Sequence, residues 1–146
     1  MSDFDHAKTV LRTRTVSLSG ALRIIDAALA RAEELDCLVS IAVIDAGGNV
    51  SALARRDGTG ATATTIALNK ATTALTLRQA TDAFVESIKD NHVLMTGLAS
   101  QPGFALNAGG LPITVDGAVV GAIGVSGARD GKDVIIARAG VQALDA

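Results

Sequence analysis

Lys70 and a pair of arginines are the cationic side chains whose positions suggest a ligand site. Lys70 is the only charged residue in the stretch ATATTIALNKATTAL. A lysine among small residues either extends its ammonium group to solvent or faces a pocket in which that group meets an anion. Arg55 and Arg56 end a strand-like segment, so their side chains point to opposite sides of a sheet. One of them could bind a carboxylate through its planar fork, and a fully solvated pair is the alternative.

Three aspartates are candidates for acid–base or ligand-binding roles. Asp45 stands where a strand-like run meets Ala46-Gly47-Gly48. An aspartate there either bonds to the amides of the turn or serves as a catalytic acid–base. Asp130 and Asp133 precede an apolar helical pattern, and helix capping is the favoured interpretation of both. Asp130 is also a candidate carboxylate of a ligand pocket.

Glycines at two corners could present backbone amides to a ligand. Gly109 and Gly110 open the stretch GGLPITVDGAVVGAIGVSG, and Gly127 closes it. Amides without a neighbouring side chain can donate hydrogen bonds to an anionic or oxyanionic group. We therefore predict a ligand site at these corners, close to Lys70 and one of the arginines.

His92 is the histidine best placed to act as a ligand. Met95 follows it by three residues, so both side chains share a face if this segment is helical. Histidine and methionine are axial ligands of haem iron, whereas a lone histidine on a helix is more often structural or solvated. The sequence contains no CxxC, HxxxH or HExxH pattern, so it predicts no zinc or other metal-ion site.

The element that organises the chain is a predicted hairpin over residues 109–127. Asp116-Gly117 separates two apolar runs, and this dipeptide favours a tight turn with positive φ. The second run, AVVGAIGV, is almost wholly apolar, which indicates a strand covered on both faces.

The remaining elements follow from hydrophobic periodicity. We expect a helix from Ser17 to Leu35 with Ser17 or Ser19 as its cap, and a second hairpin over residues 38–56. We also expect helices over about residues 62–77, from a Thr81 cap, within 91–108 and near the C-terminus. Residues 1–146 thus form a single α+β domain on an antiparallel sheet flanked by helices. Residues 1–16 show no clear period, and we interpret them as a loose arm.

Composition limits the partners that we expect. The formal net charge is −2 without a basic block, which argues against a nucleic-acid surface. No apolar run reaches the length of a membrane span, and the polar N-terminus with a single cysteine, Cys37, predicts a cytoplasmic protein without an intramolecular disulfide. Apolar residues make up 49% of the chain and charged residues only 19%, so we expect apolar surface to be buried in a homo-oligomer.

Three segments in this order resemble the GlcG/HbpS family of small haem-binding and related domains. They are SIAVIDAGGNV, ALNKATTA around Lys70, and the hairpin motif followed by Asp133. The resemblance covers most of residues 17–144 and extends to the C-terminal domain of PduO-type proteins. It implies a profilin-like α/β/α sandwich, with Lys70 beside the ligand pocket.

The resemblance implies two classes of function, and a third alternative is an assembly protein without a ligand. The first is a small oligomeric protein that binds haem or a related planar cofactor. PduO-like domains carry a ligating histidine on or near the first helix, whereas residues 18–35 contain none, and this difference weakens the haem-binding interpretation. The second is a lyase acting on a hydroxylamino-substituted aromatic acid such as hydroxylaminobenzoate, whose anionic carboxylate a cationic pocket would hold.

Overall fold

A four-stranded antiparallel sheet with helices on both faces forms the centre of the molecule. The computed structural model describes residues 9–145. Within this range the elements in chain order are α1 (Leu18–Glu34), β1 (Ser40–Asp45), β2 (Val50–Arg55), α2 (Ala61–Leu77), α3 (Thr81–Ile88), α4 (His92–Ala99), β3 (Gly110–Val115), β4 (Ala118–Ser126) and α5 (Lys132–Gln142). The predicted α+β class with an antiparallel sheet is therefore confirmed.

The strand order is β2-β1-β4-β3, so the two predicted hairpins join through their inner strands. β1 pairs antiparallel with β4, from Ser40 opposite Ser126 to Asp45 opposite Gly121. Seven consecutive residues of β4 are buried, as are the first five of β1. The prediction that AVVGAIGV is a strand covered on both faces is confirmed.

Helices α1 and α5 cover one face of the sheet and enclose most of the larger aliphatic side chains. Ile41 and Val43 of β1 and Ile123 and Val125 of β4 lie in this layer, and none of them is exposed to solvent. The spacing of apolar residues in α1 places its buried face against them, as the helical period requires. This layer is the main hydrophobic core.

Helix α2 covers the other face at very short range, because alanine and glycine form the contact. Ala67, Ala71 and Ala74 of α2 are fully buried. A Cβ atom added to Gly124 would lie 1.9 Å from the carbonyl oxygen of Ala67, so the helix backbone rests directly on the backbone of β4. Threonines weaken the helical preference of this segment, and close packing on the sheet stabilises it instead.

The predicted caps have different outcomes. Gly20 N donates to Ser17 Oγ over 3.0 Å, which confirms Ser17 as the cap of α1. The prediction that Thr81 caps α3 is wrong: Ala80 is the N-cap, and Thr81 is a buried residue of the first turn. Its hydroxyl instead accepts a hydrogen bond from Gly110 N over 3.1 Å.

The end of the predicted N-terminal arm lies along the β3–β4 hairpin. Val16 N donates to Val120 O over 2.8 Å, and Arg14 forms an ion pair with Asp116 over 3.2 Å. Residues 1–8 of the predicted arm lie outside the described residues. In the described range, no helix combines the length and apolar character that a membrane crossing requires.

Candidate functional site

A buried ion pair occupies the corner at which the sequence predicts a ligand. Lys70 is 2% exposed, and its ammonium group donates to Asp133 Oδ2 over 2.9 Å and to Val125 O over 2.8 Å. Helix α2 supplies the lysine, β4 the carbonyl and the first turn of α5 the carboxylate. The anion that Lys70 meets is thus a carboxylate of the same chain, and the ion pair connects three elements.

Asp133 and Asp130 do not cap α5 with their side chains, so that part of their interpretation is wrong. Gly131 is the N-cap residue and offers no side chain. Asp133 lies within the first turn, where its Oδ1 accepts from Ala128 N over 3.0 Å while its Oδ2 contacts Lys70. Asp130 is exposed and adopts a left-handed conformation with φ of 57°. Within residues 9–145 its carboxylate makes no hydrogen bond or ion pair with the other predicted ligand-binding residues.

The glycine corners are closely packed against protein backbone. Gly109 has φ of 124°, and a Cβ atom there would lie 2.5 Å from Val125 O. A Cβ atom on Gly110 would lie 2.4 Å from Lys70 O, and one on Gly127 would lie 2.4 Å from Leu38 O. Glycine is required at these places because the backbones approach each other, and the amide of Gly110 is already bonded to Thr81.

Arg55 and Arg56 point to opposite sides of the sheet, as the sequence predicts, and neither contacts the Lys70 corner. Arg55 donates to Thr59 O over 2.7 Å, on the side covered by α2. Arg56 donates to Cys37 O over 2.6 Å, just beyond the end of α1 on the opposite side. Arg56 therefore fastens the end of β2 to the end of α1.

Asp45 organises the turn between β1 and β2. Its Oδ1 accepts from the backbone N–H groups of Gly47 and Asn49, each over 2.9 Å. These hydrogen bonds, with that from the Asn49 backbone as the largest contribution, lower the pKa of the Asp45 carboxyl below its ordinary value. This geometry agrees with the turn-stabilising alternative for Asp45.

His92 begins α4, a short helix on the surface. Asn91 caps it, accepting from Leu94 N over 3.0 Å, and none of its residues is buried. His92 is exposed, and its neighbours Val93 and Leu94 are 86% and 40% exposed. Met95 is partly buried on the same side of the helix as His92. The helix thus presents an accessible imidazole beside apolar side chains.

A large concave feature lies elsewhere, between the N-terminal segment and the end of α2. This cavity, of about 770 Å³, is bounded by residues 12–14, 46–48, 72–78 and 118–119. We call it the arginine groove, because Arg12, Arg14 and Arg78 all line it. A second cavity, of about 310 Å³, lies next to it near the start of α1 and shares Arg14. Neither cavity is lined by Lys70, Gly109, Gly110 or His92.

The arginines of this groove were not among the site residues predicted from the sequence. Arg12-Thr13-Arg14 belongs to the segment that shows no period, and Arg78 follows α2 by one residue. Arg78 gives a weak indication. Helices commonly end in glycine or asparagine in a left-handed conformation, and here an arginine occupies that position. The convergence of residues 12–14 with residue 78 depends on tertiary structure.

Comparison with known proteins gives a consistent relationship. Residues 16–142 match the family model described as haem degrading protein HbpS-like. Protein GlcG of Escherichia coli strain K12 is 35% identical over 117 residues, which cover 80% of this chain and 85% of GlcG.

Solved structures agree with this relationship. The crystal structure of HbpS matches with a TM-score of 0.84 and 34% identity, covering 93% of this chain and 94% of that one. The crystal structure of a complex of PduOC with haem matches with a TM-score of 0.80 and 25% identity, covering 88% and 94% of the two chains.

Proposed function

We propose that this chain, which belongs to the HbpS-like family, binds haem or a related planar cofactor, which His92 would hold through its imidazole. Family membership supports the class of ligand, since a structural neighbour was solved with haem. The observation within this chain that carries the proposal is the exposed imidazole at the start of α4. Among the described residues it is the one histidine.

The surroundings of His92 fit a porphyrin that is coordinated from one side. A haem needs a donor to its iron, such as an imidazole, and an apolar surface against which the macrocycle can rest. Val93 and Leu94 follow His92 in α4 and are exposed apolar residues, and no side-chain hydrogen bond within the described chain occupies His92. The imidazole is therefore free to bind a metal centre without breaking an internal contact.

Met95 cannot complete the coordination of the same iron from the opposite side. His92 and Met95 are three residues apart and share one helix face, so both donors approach from the same direction. Two axial ligands must lie on opposite sides of the macrocycle. The proposal thus assigns one protein ligand from α4, and His92 is the residue that would hold the group. Bound haem would supply iron for ligand binding or redox chemistry.

Titration of the purified protein with haemin tests this proposal. We expect a shifted Soret band that saturates with added haemin, and we expect His92→Ala to remove that shift. His6→Ala is the matched control, because residue 6 carries the chain's other histidine. Circular dichroism should show that both variants remain folded, since no described contact depends on His92. An unshifted Soret band in the parent protein, or an undiminished shift in His92→Ala, would contradict the proposal.

A further inference from the structure

We propose that the arginine groove is a second, separate site that binds a small organic anion consisting of an apolar body and a terminal carboxylate or phosphate. The first observation is that two of its three guanidinium groups have no partner among residues 9–145. Arg12 and Arg78 are exposed, and within residues 9–145 their side chains make no hydrogen bond or ion pair. Arg14 differs, because it is held by Asp116 and by Val115 O.

Positive charge in the groove is only partly neutralised by acidic side chains, because Asp116 pairs with Arg14 alone. The residues that line it include three arginines and no aspartate or glutamate. The nearest turn contains Asp45, whose carboxylate is occupied by the amides of its own turn. Guanidinium groups bind carboxylate and phosphate oxygens through paired, charge-assisted hydrogen bonds. Arg12 and Arg78 thus carry positive charge that no acidic side chain within residues 9–145 pairs, which fits an anionic ligand.

The conformation of Arg78 is a second observation that points to a function of its side chain. Its φ is 55°, in the left-handed region, directly after α2. Glycine adopts this conformation without steric cost, whereas arginine does not. A strained residue at a cavity suggests that its side chain is needed there. The end of α2 also favours a cation at this place, because the carbonyl groups of a helix C-terminus carry partial negative charge.

The rest of the lining defines the body of the ligand. Leu75, Ala118 and Val119 provide an apolar wall opposite the arginines. The hydroxyl of Thr72 makes no hydrogen bond within the described part of the chain and can donate to the ligand. A volume of about 770 Å³ accommodates a small organic molecule and exceeds what a bare inorganic ion would fill. The ligand is therefore an amphipathic anion.

The groove is separate from the haem proposal, because none of its lining residues can ligate iron. Histidine, methionine, cysteine and tyrosine are all missing from the lining. His92 does not belong to it, and α4 packs chiefly against α3. Failure of haem binding would leave the groove unaffected, and loss of groove binding would leave the Soret band unchanged.

Isothermal titration calorimetry with two probes tests the inference. Phenylacetate carries a carboxylate, phenyl phosphate carries a phosphate, and benzyl alcohol is the neutral control. We expect one or both anions to bind at micromolar to millimolar concentration and benzyl alcohol not to bind. The ratio of the two affinities identifies the preferred anionic group. No measurable binding of either anion to the parent protein would overturn the inference.

Substitutions locate the site. Arg12→Gln and Arg78→Gln should each weaken binding about tenfold, the effect of losing one charge-assisted interaction. Arg138→Gln is the matched control, since Arg138 is an exposed arginine on α5 outside the groove. Equal weakening in Arg138→Gln would show unspecific attraction and overturn the site. Undiminished binding in the double variant of Arg12 and Arg78 would do the same.

Two further measurements separate function from folding and from haem. Arg78→Gly should weaken binding as Arg78→Gln does, yet raise the melting temperature, because glycine relieves the left-handed strain. A binding loss accompanied by lower thermal stability would indicate a structural role and count against the inference. Excess phenylacetate or phenyl phosphate should leave the haemin titration unchanged. Competition between these anions and haemin would show that the groove and the haem site are the same, and would overturn the inference of a separate site.

Discussion

Lys70 is conspicuous in the sequence as an isolated charge, but the sequence does not show which group pairs with it. It stands alone among small residues, and a cationic ligand contact is a natural expectation. In the structure its ammonium group is buried against Asp133, 63 residues further along the chain. Removing one member of a buried ion pair leaves an uncompensated charge, whose burial is strongly unfavourable.

We expect Lys70→Met to lower the free energy of unfolding by about 3 kcal/mol, because it strands the Asp133 carboxylate in the core. Urea denaturation measures this. Combining it with Asp133→Asn should recover part of the loss, since the amide oxygen still accepts from Ala128 N. Lys89→Met, at an exposed lysine, is the control and should change stability by less than about 0.5 kcal/mol. A Lys70→Met protein as stable as the parent would contradict this account.

At the scale of elements, the turn between β1 and β2 depends on the Asp45 carboxylate. Asp45→Ala removes its hydrogen bonds to turn amides, so we expect a loss of about 1 kcal/mol at neutral pH. In the folded protein the pKa of the Asp45 carboxyl is lower than its ordinary value of 3.8. The ionised carboxylate therefore stabilises the folded state at pH values above 3.8. This contribution disappears as pH falls through the folded pKa.

Urea unfolding at a series of pH values checks the sign of this effect. The difference between the parent and Asp45→Ala should be constant near neutrality and should shrink as the solution becomes more acidic than pH 3.8. A difference that grows on acidification would show that the carboxylate is not held in its ionised form by the turn.

The contact between α2 and β4 permits no side chain at Gly124. Gly124→Ala places its Cβ atom 1.9 Å from Ala67 O, so helix and strand must separate. We expect a loss of about 3 kcal/mol or more, at the upper end of overpacking effects, measured by thermal denaturation. Gly97→Ala is the matched control, because a Cβ atom there meets no heavy atom within 4 Å. That change should stabilise α4 by about 1 kcal/mol.

The sequence predicts elements well and their mutual contacts poorly, for physical reasons that individual residues show. Asp116-Gly117 marks its turn because positive φ is a local property, and both residues adopt it. Thr81 looks like a cap because its neighbours are helical, but its hydroxyl serves Gly110, 29 residues away. Arg12 and Arg78 come together only when α2 packs on the sheet, so their spacing in the sequence does not predict the groove.

For the whole molecule, we expect association into a homo-oligomer. Exposed apolar side chains remain on several elements of this chain, including Leu11, Leu18, Val50 and Val93. Together with its low content of charge, they favour burial between copies. Multi-angle light scattering should give at least twice the chain mass of 14.7 kDa. A monodisperse monomer at micromolar concentration would refute this expectation.

The arrangement of the whole molecule also bears on the lyase alternative. Such an enzyme would hold an aromatic carboxylate with cations and supply an acid–base group next to it. The arginine groove offers the cations, whereas its lining contains no titratable acid or histidine. Turnover of hydroxylaminobenzoate by the purified protein is the direct test of that alternative, and it is independent of the binding measurements.

The pairing of β1 with β4 has a consequence for the route by which the chain folds. Each hairpin needs only a short loop to close, but Ser40 and Ser126 meet across 86 residues. Closing so long a loop costs chain entropy before any buried contact repays it. Both hydrophobic layers depend on that central ladder, because β1 and β4 contribute to each of them. We therefore expect the hairpins and helices to form quickly as unstable fragments, and the late meeting of the inner strands to set the rate at which the native molecule appears.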